Sequence, residues 1–520
     1  MGRSRRVLPA LATGVMLVAA ACGSSTKSSS GAGTTAGAVT TKAATVTTAA
    51  STATTAGPAT TAKATATTAT ASGADAQKNT QWVADAEAAA KAKPLKATGD
   101  AVVIGFQNPE GDPAGSFPEY RQGAEAAVKY INEELGGVGS DPKNGKPGRP
   151  LKLEPCKMAI APADSQRCAN ELAAKKPALV LSSLNFFGNH FAVYKAANIP
   201  VLVGTPITAL DFTSPGVYAV GGGGGCLGAH TALIRSITKE LGKKRIAVPW
   251  ADTPPGVFCY HDLEKKSLEV LAGKKLDGSA IKADGNSNKG SIADLQHIGV
   301  PIKPGQADVT PQATQVLDFK PDGIVFSAQG ADCWTFVSAL SKLGWKNDAT
   351  PLVLTGACID LAKMKELDTI AKGIYFVGNG APSLLDTTNS SPADKQVGDT
   401  YTSRMAKYAE GGAETAGKGF ATQGFTILMQ IWDLMGEQSG YDATKIDVAA
   451  YTKLLGATEG RFQWGGTGLN CSQGTTNAPY VAVCNATANL LQWDGKSLVP
   501  KTAVFSAIDL IKGTDLDFGK

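Results

Sequence analysis

The chain has 520 residues, a formal charge of +5, 18% charged and 43% hydrophobic residues. That length is too great for one core and suits two lobes. The basic excess is scattered except for Arg3, Arg5 and Arg6, with no Lys/Arg stripe interleaved with aromatics, which excludes a nucleic-acid surface.

In chain order, the three arginines precede an apolar run from Val7 to Ala20, too short to span a bilayer and therefore expected to be a cleaved targeting segment over 1–21. The run ends Ala19-Ala20-Ala21-Cys22-Gly23, which resembles the lipobox of bacterial lipoproteins and implies a lipid on Cys22. Ser4-Arg5-Arg6-Val7-Leu8 also resembles a twin-arginine signal, so the export route stays open; an ordinary secretory signal is the alternative. Residues 22–97 are expected to form a tether rich in Ala, Thr, Ser and Gly, unable to offset its ordering entropy by burial. Inside it, Thr80 to Lys93 carries a short helical pattern with Trp82 and Val83.

From Ala101 short β-rich runs alternate with helical ones, the signature of parallel sheets with crossover helices. Strands are expected at 101–106, 151–153, 179–181, 201–203, 217–220, 246–249, 323–326, 352–354 and 374–377. Helices are expected at 118–135, 164–175, 190–197, 228–241, 260–271, 331–343, 395–410 and 420–436, the last bulky enough to be central. Gly495-Lys496-Ser497 lacks the first glycine of a phosphate loop, Leu490 standing in its place, and reads as a hairpin turn. The five glycines Gly221–Gly225 read as a hinge or lobe crossover rather than an anion loop.

With Cys22 set aside, eight of the nine cysteines remain, an even number that suits disulfides in an exported chain. Chain neighbours fall within single supersecondary units, so the expected pairs are Cys156 with Cys168, Cys226 with Cys259, Cys333 with Cys358 and Cys471 with Cys484. No Cys-x-x-Cys occurs, and the four histidines lack ligand spacing, so no metal or other cofactor is expected. Nor is there a Gly-x-Ser-x-Gly elbow, a His-Glu-x-x-His or another catalytic constellation, so no enzyme is expected.

The opening Ala101-Val-Val-Ile-Gly-Phe106, the Pro, Gly and Asp loop after it, and Gly123-Ala-Glu-Ala-Ala-Val-Lys-Tyr-Ile-Asn-Glu133 resemble the first βα unit of branched-chain amino-acid-type periplasmic binding proteins. Asn198 to Thr208 resembles their next strand and ligand loop, and the Cys156/Cys168 stretch and closing Gln-Trp-Asp-Gly-Lys resemble members from high-GC Gram-positive bacteria. The resemblance implies an α/β, two-lobed type I fold: lobe 1 from 98–221 with 378–460, lobe 2 from 222–377 with 461–520. Crossovers are implied near 218–225, 377–381 and 459–465. It implies ligand contacts at Ser116, Phe117, Asn185, Phe186, Pro206 and Thr208 in the first lobe, Asp252 and Gln329 in the second, and Phe425 from the long helix. Members that take α-amino acids place an acidic residue where Thr355-Gly-Ala357 falls, so an ammonium would lack its counter-charge here unless Asp252 or Asp332 replaces it. The implied protein is a monomeric, lipid-anchored receptor delivering a small polar ligand to an ABC permease. Alternatives are a sensory module of the same fold and, less favoured, an exported hydrolase.

Overall fold

The computed structural model describes residues 77–274, 292–379, 382–388, 390–464, 468–472 and 483–510. The expected signal over 1–21, the lipidation site Cys22 and the tether as far as residue 76 lie outside the described residues.

Two sheets form. The first is wholly parallel, from β1 (Val102–Pro109), β2 (Leu151–Met158), β3 (Leu179–Ser182), β4 (Val201–Val203) and β5 (Val217–Ala219), in the order β2-β1-β3-β4-β5. Strands buried on both faces read as apolar runs rather than alternating ones, as in Leu179–Ser182, where every position is buried. The second sheet comprises β6 (Arg245–Ala251), β7 (Gln296–Ile302), β8 (Gly323–Phe326), β9 (Leu352–Thr355), β10 (Tyr375–Gly378), β11 (Thr487–Trp493) and β12 (Leu498–Pro500). Its order is β12-β11-β10-β9-β8-β6-β7, and a two-residue strand, Phe505–Ser506, also pairs with β11. The final hairpin joins antiparallel to β10, and its Asp494 side chain accepts from the amides of Lys496 and Ser497. This confirms Gly495-Lys496-Ser497 as a turn.

The two-lobed α/β architecture is as expected, with three corrections at its seams. First, residues 77–97 are not tether. The helix Thr80–Ala92 buries Val83, Ala86 and Ala90 against the first lobe; Trp82 stacks 4.4 Å from Tyr441, and Asn79 donates to Asp433 at 2.7 Å. Second, residues 461–472 belong to the first lobe: Phe462, Trp464, Leu469 and Cys471 are buried in its core, and Arg461 pairs with buried Asp433. The third crossover therefore lies near Asn485, where Cys484 still donates to Ala219 and Thr487 opens β11. Third, β7 was unforeseen. It is the outermost strand, where Pro301 and Gly299 are tolerated because one side needs no ladder partner.

The long helix Gly419–Ser439 is central, packing on Pro118–Glu133; Gly424 and Gly123 have no room for a side chain against the facing backbone. All four expected disulfides are formed: Cys156–Cys168, Cys226–Cys259, Cys333–Cys358 and Cys471–Cys484.

Candidate functional site

The three crossovers come together. Gly223, at φ 80°, donates its amide to Asn485 Oδ1 at 3.2 Å, and Asn485 Nδ2 donates to Gln463 Oε1 at 2.5 Å. Gln463 in turn donates to Val220 O at 2.8 Å. A side chain on Gly222 would collide with Asn379, on the second crossover, and one on Gly225 with the carbonyl of Pro206. The glycine run thus serves as the crossover, threaded where only bare backbone fits.

Beside this knot lies a cavity of about 120 Å³ between the lobes. It sits beyond the carboxyl ends of β4, β8, β9 and β10, which supply Thr205, Ala328, Thr355 and Asn379. That is where open α/β sheets present free backbone groups to a ligand. The first lobe adds Ile207 and the opening turn of Gly419–Ser439, with Phe420, Thr422 and Gln423. From the second lobe come Cys226, Ala229 and His230, on the first turn of the helix over residues 226–240. Ser383, Leu384 and Leu385 line it after the second crossover.

Its polar groups are mostly uncharged. Thr205 Oγ1 donates to Gln423 Oε1 at 2.6 Å, leaving the Gln423 amine as a donor, and Thr355 Oγ1 donates to Ala328 O at 2.8 Å. Ser383 is 5% exposed and its hydroxyl has no protein partner. Among the described residues, His230 is the one titratable side chain on the lining, with Nδ1 2.9 Å from Oε1 of the fully buried Glu264. Glu264 also accepts a hydrogen bond from Ser327. The Cys226 and Cys259 sulfurs lie within 4.8 Å of His230, but they are joined to each other, so they are no thiolate pair for a metal.

Of the nine expected contacts, Gln329 lines the cavity. Pro206 lies between the lining residues Thr205 and Ile207, its carbonyl accepting from Cys226 N at 2.9 Å. Phe117 braces the wall from behind, edge-on to Phe420 at 5.2 Å. Ser116 faces an adjoining groove with Glu119, Trp334 and Lys418. The others are elsewhere: Asn185 bonds Ser165 and its own turn, and Phe186 is in the first-lobe core. Thr208 caps a short helix in a reciprocal box with Asp211, Asp252 is exposed away from the cavity, and Phe425 is fully buried against Tyr401 and Trp464. Burial pushes the Asp211 carboxyl up to about 7 despite two backbone donors, which marks a structural cap.

Sequence reasoning missed Thr205, His230, Ser383 and Gln423. The signal for His230 was present: a histidine one helical turn after a glycine crossover projects toward whatever the crossover borders.

A family described as periplasmic binding protein matches residues 280–483. A search of curated proteins gave no match. Among solved structures, a leucine binding protein from Thermotoga maritima is 14% identical with a TM-score of 0.53, covering 78% of this chain and 99% of its own. A branched-chain amino acid transporter substrate binding protein from Streptococcus pneumoniae, in complex with isoleucine, is 14% identical at 0.53, covering 77% and 98%. An ABC transporter solute binding protein from Rhodopseudomonas palustris, in complex with p-hydroxybenzoic acid, is 17% identical at 0.55, covering 78% and 98%. The chain has the type I periplasmic-binding-protein fold. In that fold, the cavity is the interlobe cleft closest to the hinge. Among the described residues no helix is long and apolar enough to cross a membrane.

Proposed function

We propose that this chain is the extracytoplasmic solute-binding component of an ABC importer, anchored through lipid on Cys22. It captures a small polar molecule by lobe closure and releases it unaltered to a membrane permease. The observation that carries this reading is the cavity itself: residues of both lobes line it, it abuts the three crossovers, and among the described residues no acidic side chain lines it. Swinging the lobes about that knot opens and shuts it.

The lining also narrows the ligand. An α-ammonium buried there would lack a carboxylate, so a free amino acid is disfavoured relative to an aromatic acid, an amide or a related compound. The apolar wall of Ile207, Ile359, Phe420 and Leu491 suits a flat or branched carbon skeleton.

A thermal-shift screen of amino acids, aromatic acids and amides, followed by small-angle scattering of each hit, tests the reading. A ligand should raise the melting temperature, compact the protein and be recovered chemically intact. Chemical turnover of the ligand, or binding without compaction, defeats it. Cys22→Ala should release the protein into the medium; membrane retention would refute the lipid anchor.

A further inference from the structure

The second lobe places a fully buried carboxylate directly behind a cavity-lining histidine, and the apolar core has no use for it. Glu264 makes one contact with His230 and one with Ser327; among the described residues no lysine or arginine pairs with it. Its Oε2 lacks an aligned partner, as does His230 Nδ1 despite the 2.9 Å approach. A buried carboxylate is costly unless it is hydrogen-bonded or paired, and the His230 imidazole, 2.9 Å away, is the ring that faces it. When the imidazole is charged, Nδ1 faces Glu264 and Nε2 is left as a donor to the cavity.

The rest of the cavity agrees in sign. Two long helices, residues 226–240 and Gly419–Ser439, turn their first turns toward it, and neither has a side-chain cap. Uncapped N-termini present positive dipole ends. Ser383, nine-tenths buried with an unpartnered hydroxyl, supplies a further donor. Close to the pair, the Tyr260 phenol is pushed up to about 12 by burial and by the charges of Glu264 and Glu269. Lys418, Lys363, Glu119 and Asp360 line the adjoining groove instead.

Resting on the importer reading, we infer that His230, held by Glu264, is the anion contact of the cleft, so that the ligand is a carboxylate carrying no cationic group. His230 touches the ligand; Glu264 is a positioning residue acting through the ring.

Two measurements test this. The first titrates histidine-labelled protein with acetate, the smallest carboxylate, and with acetamide, its uncharged counterpart. The ring signals of His230, assigned by their loss in His230→Gln, should move with acetate and stay still with acetamide, while those of His190 and His261 hold. Absence of an acetate response overturns the inference. The second compares benzoate and 4-hydroxybenzoate with their amides by calorimetry. The acids should bind at least about tenfold tighter than the amides, the value of a charge-assisted hydrogen bond. His230→Gln should abolish that preference, Glu264→Gln should weaken it, and His230→Lys, which keeps a cation, should retain it. Unchanged preference in His230→Gln, or tighter binding of amides, overturns the inference while leaving the importer reading intact. If no compound compacts the lobes, the importer reading fails, and the acetate titration still decides the role of His230.

Discussion

The two lobes handle buried charge differently. The first buries Glu87, Glu134, Asp211, Asp394 and Asp433, whereas the second, among the described residues, buries Glu264 alone. In the first lobe Glu87, Glu134 and Asp433 tie together stretches distant in the chain. Glu87, on the N-terminal helix, accepts from Tyr130 and Gln396; Glu134 meets Arg404, Lys407 and Tyr408; Asp433 meets Asn79 and Arg461. The second lobe joins its distant stretch by strand pairing instead, β11 laying Leu490 and Leu491 beside β10. Polar ties therefore set register where helices pack, and backbone ladders set it where strands do. On that contrast, the one buried carboxylate of the second lobe among the described residues stands out because it backs His230 on the cavity wall.

The comparison can be broken at several points. Phe425→Ala should cost about 4 kcal/mol in urea unfolding through the cavity left among Tyr130, Tyr401 and Trp464. A loss below about 1 kcal/mol would deny it a core role. Arg461→Met should cost about 3 kcal/mol, because Asp433 would be left buried without its cation. A neutral outcome would mean that the first lobe does not depend on its ion ties. Burial already pushes Asp433 up to about 6 even with Arg461 present.

The next effect is read along pH. Burial pushes the Glu87 carboxyl from its usual 4.5 up to about 7, outweighing the Gln396, Tyr130 and Thr400 donors and the Arg404 charge that favour its charged form. The native state then holds a proton that the unfolded chain releases, so this contribution is complete below about pH 4.5 and is lost as pH rises to about 7. Glu87→Gln should remove roughly 3 kcal/mol of that decline, seen as a flatter melting-temperature profile across the window. An unaltered slope would place the pH response elsewhere. Smallest of all, Asp252→Asn should change stability by under about 0.5 kcal/mol and leave ligand affinity alone, since the side chain is exposed and outside the cavity. A clear affinity loss would restore Asp252 as a contact.

Much of the fold was legible because its elements announce themselves locally. The apolar runs of β1, β3, β4 and β8 are bounded by turn residues, and the stripe Ala124, Ala127 and Ile131 ends before Gly136-Gly137. The disulfides were legible because each closes within 12 to 33 residues. The seams were not. Nothing local distinguishes Phe462 and Trp464 in a first-lobe core from the same residues in a second-lobe one, because the deciding partners, Lys78 and Asp433, are far away in sequence. The site was harder still. Phe425 and Asn185 are the kinds of side chain that contact ligands, but burial depends on which helix or turn covers them. His230 gained its significance from Glu264, thirty-four positions on, by sharing a wall with it.

The crossover glycines have a mechanical consequence. Where Gly221, Gly222 and Gly225 thread between Gly204, Asn379 and Pro206, the passage between the lobes is no wider than bare peptide. Displacement grows with lever arm. On the proposed lobe closure, His230 and Ser383, which line the cavity beside the crossovers, move less than Ser116, Trp334 and Lys418 in the adjoining groove. On that proposal, a guest is sampled at the fulcrum and sealed in at the rim.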